Sequence, residues 1–258
     1  MAKKPVVVIG VGEMGSVFAR GLLRLGHPVY PVTRDTDMKK MAKHLADPKL
    51  VLVAVGEAAL KPILKQIPKP WRKKLALLQN ELLPNDYADL KDVTVISVWF
   101  EKKKGQDSKV IIPSSAFGPR AGLLAKALAS LDIPVKLIDK PRDMLFELVA
   151  KNLYILTSNI AGLRTGGTVS QLWSDNQETA RAVAKDVITL QEALTGSRFN
   201  NDELIVAMVA AFDGDPEHKC MGRSAPARLT RALEHGAQLG IELPTLEQIA
   251  QEQQVAPA

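Results

Sequence analysis

At 258 residues the chain can bury a substantial core, as one large domain or two modest ones. Its 46% hydrophobic and 24% charged content is ordinary for a soluble globular protein, and no apolar run approaches the roughly 18 residues of a membrane span, which excludes that class. The net charge of +6 is spread along the chain; its clusters at 69–74 and 102–104 lack interleaved aromatics, so they read as solvated faces and not as a nucleic-acid platform.

MAKKP leads directly into the first strand, so no signal peptide is expected. The stretch VVVIGVGEMG at 6–15 then joins four apolar residues to glycines at G-x-G-x-x-G spacing. A buried parallel strand, a tight turn and an amphipathic helix are expected, with Val17, Phe18, Leu22 and Leu23 on the apolar side. In such a turn Gly10 permits the bend, Gly12 lets a pyrophosphate approach the backbone, and Gly15 lets helix and strand pack closely. Glu13 and Met14 complete the turn, whose unpaired N–H groups favour an anion. A dinucleotide site is the expectation.

Gly26 ends that helix, and residues 27–32 read as a second strand, short or at an edge because of Pro31. Arg34 follows, where a Rossmann domain meets the adenosine ribose; an arginine there suits the 2′-phosphate of NADP, whereas Asp35 beside it would suit NAD. Strands at 49–55, 75–78 and 93–100 alternate with helices at 37–45 and 58–67. VIIP at 110–113 is a further strand candidate, followed by a helix at 119–131 and a strand at 135–138. This alternation predicts an α/β architecture: an N-terminal Rossmann domain with a doubly wound parallel sheet over 1–140.

Beyond residue 140 the strand signal stops. Helices at 142–163, 176–194, 202–212 and 225–239 predict an all-helical C-terminal domain over 141–258 that holds the substrate. In the first of these, Val149, Leu153, Leu156, Ile160 and Leu163 form an apolar stripe, with Lys151 and Ser158 opposite and Asn152 and Asn159 on a flank. Lys151 reads either as a proton donor of depressed pKa or as a lysine that snorkels to solvent. In the loop 212–229, Asp213, Asp215, His218 and Cys220 fit no closed zinc spacing, so no metal is expected. Arg223 and Arg228 there suit either a carboxylate clamp or helix pairing. The single Cys220 excludes an internal disulfide and points to a reducing, cytoplasmic setting.

The glycine turn, LLQNELLP at 77–84, the lysine helix with Asn159 eight residues after Lys151, and LGIELPTLEQI at 239–249 occur in the order found in ketopantoate reductases. The chain resembles that superfamily, within the 6-phosphogluconate dehydrogenase-like oxidoreductases. The resemblance implies NADPH-dependent reduction of a 2-keto acid, with Lys151 as catalytic acid, Asn80 beside the nicotinamide and Asn159 binding substrate; Ser158 and Arg223 join the substrate residues. Glu81 stands where the family shows glycine, Ile155 where it shows a second asparagine, and 222–225 lacks the family's glutamate. Two other readings therefore stand beside a small-carbonyl reductase: a dinucleotide-binding regulatory protein without turnover, and an imine or proline-type reductase. The expected partner is a small-molecule substrate, with a homodimer open and neither nucleic acid nor membrane.

Overall fold

The apolar run at the chain start is buried on both sides, and this sets the layers around it. In the computed structural model, which describes residues 3–255, it forms β1 (Val6–Ile9). Val6 and Val8 enter one apolar cluster with Phe18 and Leu22 of α1 (Glu13–Arg24). Val7 and Ile9 enter another with Val32 and Leu60. In β3 (Leu50–Val53), Leu50 and Leu52 join the first cluster and Val51 and Val53 the second. Successive side chains point to opposite faces, so such strands demand helices on both sides of the sheet.

The sheet has seven strands in the order β2-β1-β3-β4-β5-β8-β9. The remaining members are β2 (Val29–Val32), β4 (Leu75–Leu77), β5 (Thr94–Ser97), β8 (Ser114–Phe117) and β9 (Val135–Leu137). α2 (Met38–His44), α3 (Glu57–Gln66) and α4 (Ala121–Ala129) make the connections. β2 lies at the edge, where Pro31 costs no ladder bond inside the sheet.

Two details depart from the sequence expectation of a wholly parallel sheet. β8 runs antiparallel to β5, while the other pairings are parallel. VIIP does not extend the sheet: Val110 belongs to a separate hairpin of β6 (Phe100–Glu101) and β7 (Lys109–Val110). β8 has no apolar run to announce it, because Ser114 and Ser115 fill its buried positions and Ser114 Oγ accepts a bond from the Trp99 N–H at 2.9 Å. Leu23, expected on the apolar side of α1, is 56% exposed.

The chain divides into two compact units between Leu148 and Val149, inside α5 (Pro141–Thr165). The second unit continues with α6 (Val169–Asp175), α7 (Gln177–Thr195), α8 (Asn201–Gly214), α9 (Ala225–Leu239) and α10 (Pro244–Val255). α6 and α10 are additions to the helices expected. α6 starts on a capping box, with Thr168 Oγ1 accepting from the Gln171 N–H and Gln171 reaching back to the Thr168 N–H. The start of α10 is held by Asp186 of α7, whose Oδ2 accepts from the N–H groups of Thr245 (2.7 Å) and Leu246 (3.2 Å). Arg164 of α5 grips Glu252 of α10 through two bonds of 2.7 and 2.6 Å. Among the described residues, no helix is long and apolar enough to cross a membrane.

Candidate functional site

In the first unit the candidate residues gather where the parallel strands end. β1 runs into Gly10, whose φ of +88° belongs to the left-handed region that favours glycine. A Cβ on Gly15 would stand 2.0 Å from the Gly10 carbonyl oxygen, so this close approach of helix to strand requires glycine. A Cβ on Gly12 would meet nothing within 4 Å, which leaves the backbone open to a ligand there. The first turn of α1 is joined by a bond from Ser16 N–H to Gly12 O (2.9 Å), and the N–H groups of Glu13, Met14 and Gly15 lie before it, without acceptors inside the helix. The turn therefore offers donors, the positive end of a helix and open space, the requirements of a dinucleotide pyrophosphate.

Arg34 lies exposed in the turn that follows β2. After β4, Gln79 ties two strand ends together: its amide donates to the carbonyls of Val53 (2.7 Å) and Val55 (3.1 Å). This sets the place of Asn80, whose Nδ2 donates to Glu57 Oε1 at 3.1 Å. Glu81 beside it adopts φ +60°, a conformation that favours glycine. Glu57 and Gln79 were not singled out from sequence. Glu57 lies just before the helix expected at 58–67 and opens α3 in the structure, and its partner is 23 positions away.

The cluster at 102–104 is not a uniform solvated face. Lys102 has only 16% of its side chain exposed and stands 3.4 Å from Glu13 Oε2, whereas Lys103 is 62% exposed and pairs with Glu101.

In the second unit α5 is buried nearly all round from Asn152 to Ala161. Asn152 Nδ2 donates to Gln191 Oε1 of α7 at 2.9 Å, and this satisfied pair is structural. Lys151 is half-buried, with Nζ 5.5 Å from the centre of the Tyr154 ring. Burial first, and the Arg228 guanidinium second, push its pKa down to about 7. Ser158 Oγ donates to the Tyr154 carbonyl at 2.7 Å, so its proton is committed to the helix. Asn159 has its Oδ1 held by Arg228 Nη1 at 2.9 Å and its Nδ2 3.5 Å from Ser158 Oγ.

Arg228 is thus the arginine that joins Lys151 and Asn159 electrostatically and by hydrogen bonding. Arg223 lies exposed in the loop before α9, which passes Asn159 at Gly222. In sequence the two arginines are equivalent neighbours of Pro226; position on the first turns of α9 separates them. Within the same loop His218 Nδ1 lies 3.6 Å from Asp215 Oδ2, and burial raises the Cys220 thiol to about 11, so this is no reactive thiolate.

No family model and no curated protein matches the sequence. Solved structures match along nearly the whole chain. A 2-dehydropantoate 2-reductase from Methylococcus capsulatus is 15% identical with a TM-score of 0.71, over 97% of this chain and 96% of that one. A dimeric ketopantoate reductase from Staphylococcus aureus is 14% identical with a TM-score of 0.66, over 97% of each chain. D-mandelate dehydrogenase, in a ternary structure with NADH and anilino(oxo)acetate, is 13% identical with a TM-score of 0.65, over 95% of this chain and 96% of that one. The chain has the fold of these proteins.

Proposed function

We propose that the protein is a nicotinamide-dinucleotide-dependent reductase of a small carbonyl compound, with a 2-keto acid as substrate class and NADPH as preferred cofactor. The observation that carries this reading is the turn from Gly10 to Gly15, which combines a left-handed glycine, a close approach and an open helix N-terminus. Shared fold with a dehydrogenase whose structure holds NADH, and with ketopantoate reductases, supports it.

Gly10, Gly12, Gly15 and the N–H groups of Glu13 and Met14 would cradle the pyrophosphate, and Arg34 would meet the 2′-phosphate. Asn80, set by Gln79 and Glu57, would orient the nicotinamide. When bound, the cofactor supplies a hydride to the carbonyl carbon. Lys151 Nζ gives its proton to the carbonyl oxygen, so that C=O becomes CH–OH with both electrons accounted for. A lysine poised near 7 holds and releases a proton readily at neutral pH. Arg228 and Lys151 are neighbouring cations, and a substrate carboxylate between them relieves their repulsion. Of the two arginines that sequence offered for a carboxylate clamp, Arg228 would take that role, with Asn159 as its positioning partner. The Ser158 oxygen remains an acceptor only. A second copy of the chain is compatible with this reading, as one neighbour of the same fold is dimeric.

Substitution of Lys151 by Met tests the assignment. Turnover of NADPH with a 2-keto acid should fall ~10²–10⁴-fold while the NADPH dissociation constant stays within a few-fold. Unchanged turnover would remove Lys151 from the chemistry. Tight NADPH binding by the wild type without oxidation by any carbonyl compound would favour a dinucleotide-binding protein without turnover.

A further inference from the structure

The β6–β7 hairpin is not needed to complete the sheet, yet it is built against the cofactor turn. Phe100 packs on Phe18 of α1 with ring centres 6.1 Å apart, and both belong to one apolar cluster. This places the following residue pair at the mouth of α1, where Lys102 Nζ lies 3.4 Å from Glu13 Oε2. Lys102 is tethered from behind as well, since its ammonium donates to the carbonyls of Lys103 (2.8 Å) and Gln106. Glu13 is the looser partner, with 45% of its side chain exposed against 16% for Lys102.

Resting on the dinucleotide reading above, we propose that Lys102 is a cofactor-phosphate ligand, and that Glu13 is the anion which occupies it until the dinucleotide binds. Glu13 is the first residue of α1, so its carboxylate sits in the same positive field that a pyrophosphate requires. Two anions at one helix terminus repel each other. The exposed carboxylate can swing into water, while the tethered ammonium cannot follow it. The incoming phosphate thus inherits a pre-positioned cation, and a charge-assisted bond to it replaces the one to Glu13. The neighbouring lysine differs: Lys103 points its charge to Glu101 and has no contact of this kind with the turn.

The test is a fluorescence titration of NADPH into the full-length wild type, Lys102→Met, Lys102→Arg, Lys103→Met and Glu13→Gln, with circular dichroism confirming that each is folded. Lys102→Met should raise the dissociation constant roughly 10-fold, about 1.4 kcal/mol. Lys102→Arg should restore most of the affinity, and Lys103→Met, an equal loss of charge in the same hairpin, should match the wild type. Glu13→Gln should tighten binding, by about 3-fold or more when the competing anion is gone. If the wild type binds NADPH and Lys102→Met binds equally well, the proposal is wrong while the dinucleotide reading stands. If the wild type binds no dinucleotide, both fall.

Discussion

At the scale of single residues, the proposed reduction depends on the charge of Lys151. Its folded-state pKa lies near 7, below the ordinary lysine value of 10.5, because burial and Arg228 both disfavour the ammonium. A general acid must carry its proton, so kcat/KM with a 2-keto acid should decline as pH rises through about 7. Arg228→Met removes a repelling cation and should shift that declining limb to higher pH, besides weakening substrate binding. A limb that does not move in a pH–rate profile would take Arg228 away from Lys151. Stability follows the opposite course. Between about 7 and 10.5 the unfolded chain holds a proton on Lys151 that the folded chain has lost, so stability should increase with pH across that window.

Residue identity was more legible here than residue partnership. Lys151 was open in sequence between proton donor and snorkelling lysine, and Asn80 and Asn159 became candidates only through the resemblance to ketopantoate reductases, while Arg228 and Glu57 acquire their places through contacts 69 and 23 positions away. Spacing along one helix or one turn can be read from sequence; contacts between elements depend on packing.

At the scale of elements, the turn and helix at 10–24 were legible because several local demands coincide there. An apolar run, a left-handed glycine and a close-approach glycine all specify the same structure. Gly15→Ala would force a methyl to 2.0 Å from the Gly10 carbonyl, so helix and strand must part. The variant should lose about 1–3 kcal/mol of stability by denaturant unfolding and most of its dinucleotide affinity. Retention of both would mean that the turn is not the tight cradle described. β8 was illegible for the converse reason, since a strand of Ser, Ser, Ala and Phe carries little intrinsic preference and is fixed by its neighbours.

The helical unit has its own dependence on a buried acid. Asp186 is 5% exposed and accepts from two N–H groups at the start of α10. Asp186→Ala would leave those donors without the carboxylate, at a cost of about 2 kcal/mol, and should lower Tm by roughly 4–8 °C. Faster amide exchange at Thr245 and Leu246 should accompany the loss; unchanged exchange there would contradict the capping role.

At the scale of the whole chain, the switch from alternating strands and helices to helices alone was visible in the pattern of apolar residues. It corresponds to a seven-stranded sheet followed by helices, the fold shared with ketopantoate reductases and D-mandelate dehydrogenase. Substrate identity was less legible, because the same scaffold serves different substrates through a few side chains. In the proposed reading, Lys151 and Arg228 would be the side chains that meet an anionic substrate here.

Titrating NADPH and NADH into the purified protein, and then adding a panel of 2-keto acids while following the cofactor's absorbance, reads dinucleotide binding and turnover together. NADPH should bind more tightly than NADH and be oxidised when a suitable 2-keto acid is supplied. Failure of both dinucleotides to bind would contradict the proposed function at its base, and would leave Gly10–Gly15 as a structural turn.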